Sequence, residues 1–224
     1  MSRATDSLAA QRSVRIPAGE AVLDGDLAIP VDAPGIVIFA HGSGSSRNSS
    51  RNRYVASVLN EAGLATLLMD LLTASEEAVD LRTAELRFDI PLLSQRVLHA
   101  TDFVQQDAQT RNLRIGYFGA STGAGAALMA AAQRPRDVHA VVSRGGRPDL
   151  AAEHLARVQA PTLLIVGAND RAVIGMNQDA LRQLHARATL EIVPGATHLF
   201  EEPGTLEQAA RLARDWFGQY LRAS

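Results

Sequence analysis

Three residue types suited to proton and acyl transfer stand at the ends of apolar runs in this chain: a serine, an aspartate and a histidine. Ser121 is the centre of Gly119-Ala120-Ser121-Thr122-Gly123. The apolar segment Leu113 to Phe118 precedes it, and the small, helix-forming stretch Ala124 to Ala132 follows. Strand, G-x-S-x-G, helix is the setting of a serine held on a tight turn. Such a turn demands small neighbours and lifts the hydroxyl clear of the sheet. It also sets the serine at a helix N-terminus, where backbone N–H groups can stabilise an oxyanion. The bland alternative is a glycine-rich turn that lets a helix pack closely on a sheet.

A hydroxyl is a weak nucleophile, so it needs a base, and the base needs an orienting acid. The chain has six histidines. His99, His154 and His185 lie in helical patterns, and His139 begins an apolar strand; core or solvated roles suit these four. His198 instead follows the apolar run Leu190 to Val193, in the loop Pro194-Gly195-Ala196-Thr197-His198. As the last histidine, after the serine, it is the expected general base. The expected acid is Asp170, directly after the apolar run Pro161 to Gly167. That places it at the carboxyl edge of a parallel sheet, where ligand sites gather. An Asx turn closing the strand is the competing reading of Asp170. Asp149 is the alternative acid; Glu201 and Glu202 lie too close to His198 in sequence to be favoured.

A fourth piece follows the buried run Gly35 to Ala40: the loop His41-Gly42-Ser43-Gly44-Ser45-Ser46. The backbone N–H groups of Ser43 and Thr122 are the candidate oxyanion donors, each able to lower a barrier by about 3 kcal/mol. His41 reads better as a structural residue holding this loop than as a second base.

These four segments, in this order, resemble the α/β-hydrolase superfamily, and more narrowly its small dienelactone-hydrolase-like members. The resemblance runs from about Val22 to about Leu221 and rests on His41 to Arg47, Gly119 to Gly123, Gly167 to Asp170 and Pro194 to His198. It implies that fold and ester-type hydrolysis; a Ser121–His198–Asp170 mechanism would need no metal or organic cofactor. One departure matters: dienelactone hydrolases proper use a cysteine nucleophile, and this chain has no cysteine. The dienelactone substrate is therefore not implied. A small carboxylic ester or lactone is expected, cleaved through an acyl-enzyme on Ser121. Acyl transfer to another acceptor, or a catalytically silent binding module, are the rival readings.

The elements needed to position these residues are legible in the rhythm of the chain. Residues 1–12 read as a flexible tail and 13–224 as one domain. Ser13 to Ile16 and Glu20 to Ile29 alternate apolar and polar residues, as antiparallel edge strands do. Thereafter strand and helix alternate, which predicts a mainly parallel sheet of about eight strands with helices on both faces. Helices are expected near Tyr54–Ala62, Pro91–Gln106, after Ser121, Leu150–Arg157, Asn177–Ala186 and Thr205–Leu221. The gap between the strand ending near Ser143 and that starting near Pro161 has room for one helix, so no lid domain is expected. Leu71–Ile90 is longer than a loop needs and could place a short helix at the pocket's edge, although a solvated surface helix suits it slightly better.

Composition excludes several chemistries. All 22 basic residues are arginine; without lysine there is no usual P-loop, Schiff base or Ser–Lys dyad. Without cysteine there are no disulfides or thiolate metal sites. A net charge of −2 and the lack of a basic stripe argue against nucleic acid as a partner. No apolar window has the length of a signal peptide or membrane span, so a cytoplasmic monomer or homodimer is expected. Arg144 and Arg147, around the turn Gly145-Gly146, could clamp an anionic group of a substrate, with Arg47, Arg51 and Arg53 adding to the field. Pairing with nearby acids is the alternative.

Overall fold

A hairpin opens the fold. In the computed structural model, which describes residues 8–222, β1 (Leu8–Ala18) turns at Gly19 and runs antiparallel to β2 (Ala21–Pro30). β1 begins five residues earlier than Ser13, because Leu8 to Arg12 continue the ladder opposite Pro30 to Leu27. Residues 8–12 of the expected tail are therefore strand, and residues 1–7 lie outside the described residues. β2 is not an edge strand. Its second side pairs antiparallel with β4 (Ala65–Met69).

The remaining strands are β3 (Gly35–Ala40), β5 (Arg114–Ala120), β6 (Val138–Arg144), β7 (Thr162–Gly167) and β8 (Ala188–Val193). The described residues form one eight-stranded sheet in the order β1-β2-β4-β3-β5-β6-β7-β8, parallel from β4 through β8. Central parallel strands are covered on both faces, so their sequences are continuously apolar, as in Leu163-Leu164-Ile165-Val166. Side chains alternate between two cores. In β3, Ile36, Ile38 and Ala40 enter one, and Val37 and Phe39 the other.

Seven α-helices among the described residues cover the two faces. The first core takes apolar residues of α3 (Ile90–Gln106), α4 (Thr122–Gln133), α5 (Ala152–Leu155) and α6 (Arg171–Gln183). The second takes α1 (Ser50–Glu61) and α7 (Thr205–Tyr220). α1 starts earlier than Tyr54 because the Ser49 hydroxyl caps the N–H of Asn52. α6 starts directly after Asp170 rather than near Asn177. The helix expected near Leu150–Arg157 is only a 3₁₀ turn, Pro148–Ala151, followed by the single turn of α5. No larger element lies between β6 and β7. The long segment after β4 contains α2 (Ala74–Thr83), held at its start by a reciprocal capping box between Thr73 and Glu76.

The consequence for chemistry is geometric. The carboxyl ends of β3, β5, β7 and β8 lie on one edge of the sheet, with Ala40 beside Gly119 and Gly167 beside Val193. The loops carrying Ser43, Ser121, Asp170 and His198 all leave from that edge. No helix among the described residues is long and apolar enough to cross a membrane.

Candidate active site

Ser121 sits between β5 and α4 with φ 51° and ψ −122°, a conformation costly for a residue with a Cβ. Its surroundings over-determine it. A Cβ on Gly119 would lie 2.4 Å from the Cα of Ala124, and one on Gly123 would lie 2.3 Å from the carbonyl oxygen of Ala40. Only glycine lets α4 come so close to β3 and β5. The Ser121 N–H donates to the Arg144 carbonyl, and the Ser121 carbonyl accepts from Arg147 N–H, at 3.3 and 3.0 Å. The turn is thereby tied to the end of β6.

Asp170 stands at the N-cap position of α6, but its side chain makes no capping bond. The Asx-turn reading is therefore displaced. Its Oδ2 lies 2.6 Å from Nδ1 of His198, and Nε2 of His198 lies 3.3 Å from Ser121 Oγ. The carboxylate fixes the tautomer: Nδ1 carries the proton it donates to Asp170, leaving Nε2 to accept from the serine. The three residues meet because their loops are stitched together. Ala168 N–H donates to the Val193 carbonyl, Asn169 N–H to that of Ala196 and the Asn169 amide to that of Gly195, at 2.9 to 3.0 Å. Glu202 closes the histidine loop by accepting from Thr197 N–H at 3.0 Å, and the Thr197 side chain and backbone together hold its carboxyl below the usual carboxylate range.

The rival residues are engaged elsewhere. Asp149 pairs with Arg147 through two hydrogen bonds of 2.9 and 2.7 Å, and Glu201 pairs with Arg51 at 3.1 Å. His41 is buried; its Nδ1 faces the Gly42 carbonyl at 2.9 Å and its Nε2 accepts from Leu71 N–H at 3.1 Å. Burial pushes its pKa below the usual value. The Gly42 carbonyl and the charges of Asp70 and Glu77 oppose that shift without cancelling it.

The two oxyanion candidates differ. Thr122 is the first residue of α4, and a first-turn N–H has no acceptor within its helix. The Ser43 N–H, by contrast, donates to the Thr122 hydroxyl at 2.9 Å. Sequence gives no sign of that bond, because it joins residues 79 positions apart.

A model of the dienelactone hydrolase family matches residues 23–221 of the chain. The chain belongs to the dienelactone hydrolase family. Its backbone superposes on the crystal structure of a dienelactone hydrolase from Anabaena variabilis with a TM-score of 0.94; the two are 61% identical, over 95% of this chain and 99% of that one. Est1E from Butyrivibrio proteoclasticus, 16% identical, matches with a TM-score of 0.78 over 92% of this chain and 98% of its own, a likeness of fold alone. Proteins of two Mycobacterium tuberculosis strains, each named "Putative phosphoribosyl transferase", are 55% identical over 218 residues, or 97% of this chain. That stretch is 48% of their length, so the chain spans about half of the curated relatives it matches.

In this dienelactone hydrolase family member two cavities flank the Ser43 loop. One, of about 60 Å³, lies under α2 and is lined by His41, Thr122, Leu71, Asp80 and Leu81. The segment after β4 thus borders a pocket as well as solvent. The other, of about 210 Å³, is lined by Ser121, His198, Leu199, Arg51 and Arg144. The two arginines expected to act as a clamp are separated. Arg144 faces the cavity that contains Ser121. Arg147 lines neither cavity and is held by Asp149, which raises its pKa. Of the two, only Arg144 lines the cavity beside Ser121; Gly145, at φ +52°, lies between them in the chain. Among the described residues no group of three or more His, Asp or Glu side chains is placed to hold a metal ion.

Proposed function

We propose that the chain is a serine hydrolase of small carboxylic esters or lactones. The observation that carries this reading is the continuous contact from Asp170 through His198 to Ser121, at 2.6 and 3.3 Å, beside a cavity. Ser121 Oγ attacks the acyl carbon as its proton passes to His198 Nε2. The imidazolium is stabilised by Asp170. When the tetrahedral adduct collapses, the C–O bond to the alcohol breaks and Nε2 returns the proton to the leaving oxygen. Water then attacks the acyl-enzyme and gives a proton to Nε2. The C–Oγ bond breaks, and Ser121 recovers its proton as the acid leaves.

The N–H groups of Thr122 and Ser43 face the developing oxyanion. For Ser43 this means exchanging a neutral hydroxyl acceptor for an anionic one. Charge-assisted hydrogen bonds are roughly twice as strong as neutral ones, so the exchange favours the transition state over the ground state. The name of the Mycobacterium proteins points to phosphoribosyl transfer, but more than half of those proteins has no counterpart in this chain. Acyl chemistry rests on atoms within it.

The test combines a fluorophosphonate probe, read by mass spectrometry, with p-nitrophenyl ester hydrolysis. One adduct on Ser121 and turnover of short acyl esters is the expected result. Ser121→Ala should lower kcat by about 10⁶-fold, the scale seen when a triad nucleophile is removed, with the fold intact. A variant that keeps most of its rate overturns the assignment. Ester products formed with competing alcohols would shift the reading to acyl transfer. No adduct and no turnover would leave a binding module.

A further inference from the structure

Asn177 stands at a position suited to an apolar residue. It lies in the middle of α6 on the buried face, with Val173 one turn before it and Ala180 one turn after, and its exposure is 0%. Asparagine is a poor helix former, and buried polar atoms normally find partners. Nδ2 has them: it donates to the Gly146 carbonyl at 3.0 Å and to the Val173 carbonyl at 2.8 Å. Oδ1 accepts from no group among the described residues. An unmet buried acceptor is destabilising, and an apolar side chain would fill this place in the helix without one. What an apolar residue could not supply is the bond that leaves the helix for Gly146.

That bond ends on the turn after β6, and the turn touches each segment that carries the chemistry. Its flanks hold Ser121: the Arg144 carbonyl accepts from Ser121 N–H, and Arg147 N–H donates to the Ser121 carbonyl. Its first glycine lies against His198. A Cβ on Gly145 would stand 3.6 Å from Nδ1 and Cε1 of the imidazole and 3.1 Å from the His198 carbonyl oxygen. Its second glycine is wedged, since a Cβ on Gly146 would stand 1.9 Å from Ser143 Oγ and 2.6 Å from the Cβ of Ala124 on α4. Asn177 adds the tie to α6, the helix that starts directly after Asp170. Among the described residues no other hydrogen bond joins α6 to this turn. Asn177 follows Asp170 by close to two turns, at about 3.6 residues per turn, so the two lie on one side of α6.

We propose that Asn177 is a positioning residue of the triad. By fixing Gly146 to the helix that begins at Asp170, it sets the wall on which the His198 imidazole rests, and so the approach of Nε2 to Ser121. This rests on the hydrolase reading given above. Asn177 lines neither cavity beside the Ser43 loop, so it bears on proton transfer and not on substrate binding. Nε2 and Ser121 Oγ are 3.3 Å apart, long for a bond to a hydroxyl, so a small retreat of the ring breaks the contact. Misplacing a reacting group by about 1 Å can cost about 10²-fold in rate.

The experiment uses Asn177→Leu and Asn177→Thr in the full chain. Leucine fills the site and removes the amide. Threonine can still bond the Val173 carbonyl one turn back, but is too short to reach Gly146, and it carries the test should Asn177→Leu not fold. Both variants should lose kcat on a p-nitrophenyl ester at least about tenfold, with KM nearly unmoved. The rate constant for fluorophosphonate labelling of Ser121 should fall by the same factor, while labelling still ends at one adduct per chain. A residue needed only for folding would instead lower the fraction of chains that label and leave kcat per labelled chain at the wild-type value. That result, or a normal rate in Asn177→Thr, overturns the positioning role and leaves the hydrolase reading standing. If the wild type neither labels nor turns over, the hydrolase reading fails and NMR of the His198 imidazole decides. Resonances displaced in Asn177→Thr support the positioning role, and unmoved resonances overturn it.

Discussion

His41 and His198 both follow strands of the same sheet edge, and their rings share one hydrogen-bond pattern. In each, Nδ1 faces an oxygen and Nε2 faces a donor. For His198 the partners are side chains, a carboxylate and a hydroxyl, and the imidazole is half-exposed. For His41 they are backbone groups, Gly42 and Leu71, and the ring is enclosed. The difference separates a ring that can pass a proton from one that can only hold a shape. A backbone amide bonded to Nε2 is no proton source in this pH range, and burial disfavours the imidazolium that proton transfer requires.

The sharpest break between the two is in rate. His198→Ala should lower kcat by about 10⁶-fold, and Asp170→Asn by about 10⁴-fold through loss of the correct tautomer. In both cases melting should change little. Steady-state kinetics on a p-nitrophenyl ester measures the two directly. An Asp170→Asn enzyme with near-normal kcat would mean that the 2.6 Å contact organises the loop without tuning the base.

The same contrast shows what could be read from sequence. Asp170, Ser121 and His198 each end an apolar run, and parallel-sheet logic puts such ends on one edge. Their order along the chain then suffices to nominate them, and the structure brings the three side chains within hydrogen-bond reach. The alternation of strand and helix likewise carries the sheet. Contacts set by distance through space stayed hidden. The pairing of Leu8 to Arg12 with β2 needs a partner strand that a stretch without apolar–polar alternation does not announce. Arg144 and Arg147 are three positions apart and alike in type, yet one is buried beside the serine and the other bonded to Asp149. The role of Asn169 in joining the acid and histidine loops is equally silent, since Asn before Asp reads as an ordinary turn.

A second test turns on stability. His41→Ala leaves the Leu71 N–H and the Gly42 carbonyl without their side-chain partner, each a loss of about 1–3 kcal/mol if no water replaces it. Melting should fall by several degrees, with kcat down only about tenfold as the Ser43 loop loosens. The pH dependence carries a definite sign. The folded-state pKa of His41 is lowered, so the unfolded chain takes up a proton first as pH falls from the ordinary histidine range near 6.5. Its contribution to stability is thus complete above that range and lost as pH drops through the folded value. Protonated Nε2 also gives up the bond from Leu71. His41→Ala should lack this component of acid sensitivity, while His139, whose pKa burial also lowers, keeps its own in both proteins. Equal acid slopes in chemical denaturation would show that His41 does not titrate with unfolding. A rate loss matching that of His198→Ala, at unchanged stability, would make it chemical after all.

The smallest effect belongs to Thr122, where the two regions touch. Its hydroxyl accepts the Ser43 N–H at 2.9 Å, so it both orients that donor and competes for it. A net hydrogen bond of this kind contributes about 1 kcal/mol, which bounds either effect at roughly fivefold. Orientation should win. Ser43 lies between Gly42 and Gly44, the latter at φ +68°, and a chain of such freedom does not hold an amide in place unaided. The charged oxyanion, moreover, displaces a neutral acceptor at little cost. Thr122→Val should therefore lower kcat about threefold with KM nearly unmoved, and Thr122→Ser should restore it. A rise in kcat for Thr122→Val would show the hydroxyl to be a competitor for the donor. The Ser43 loop would then be oriented by its packing on the serine turn, where a Cβ on Gly42 would stand 3.0 Å from that of Ser121.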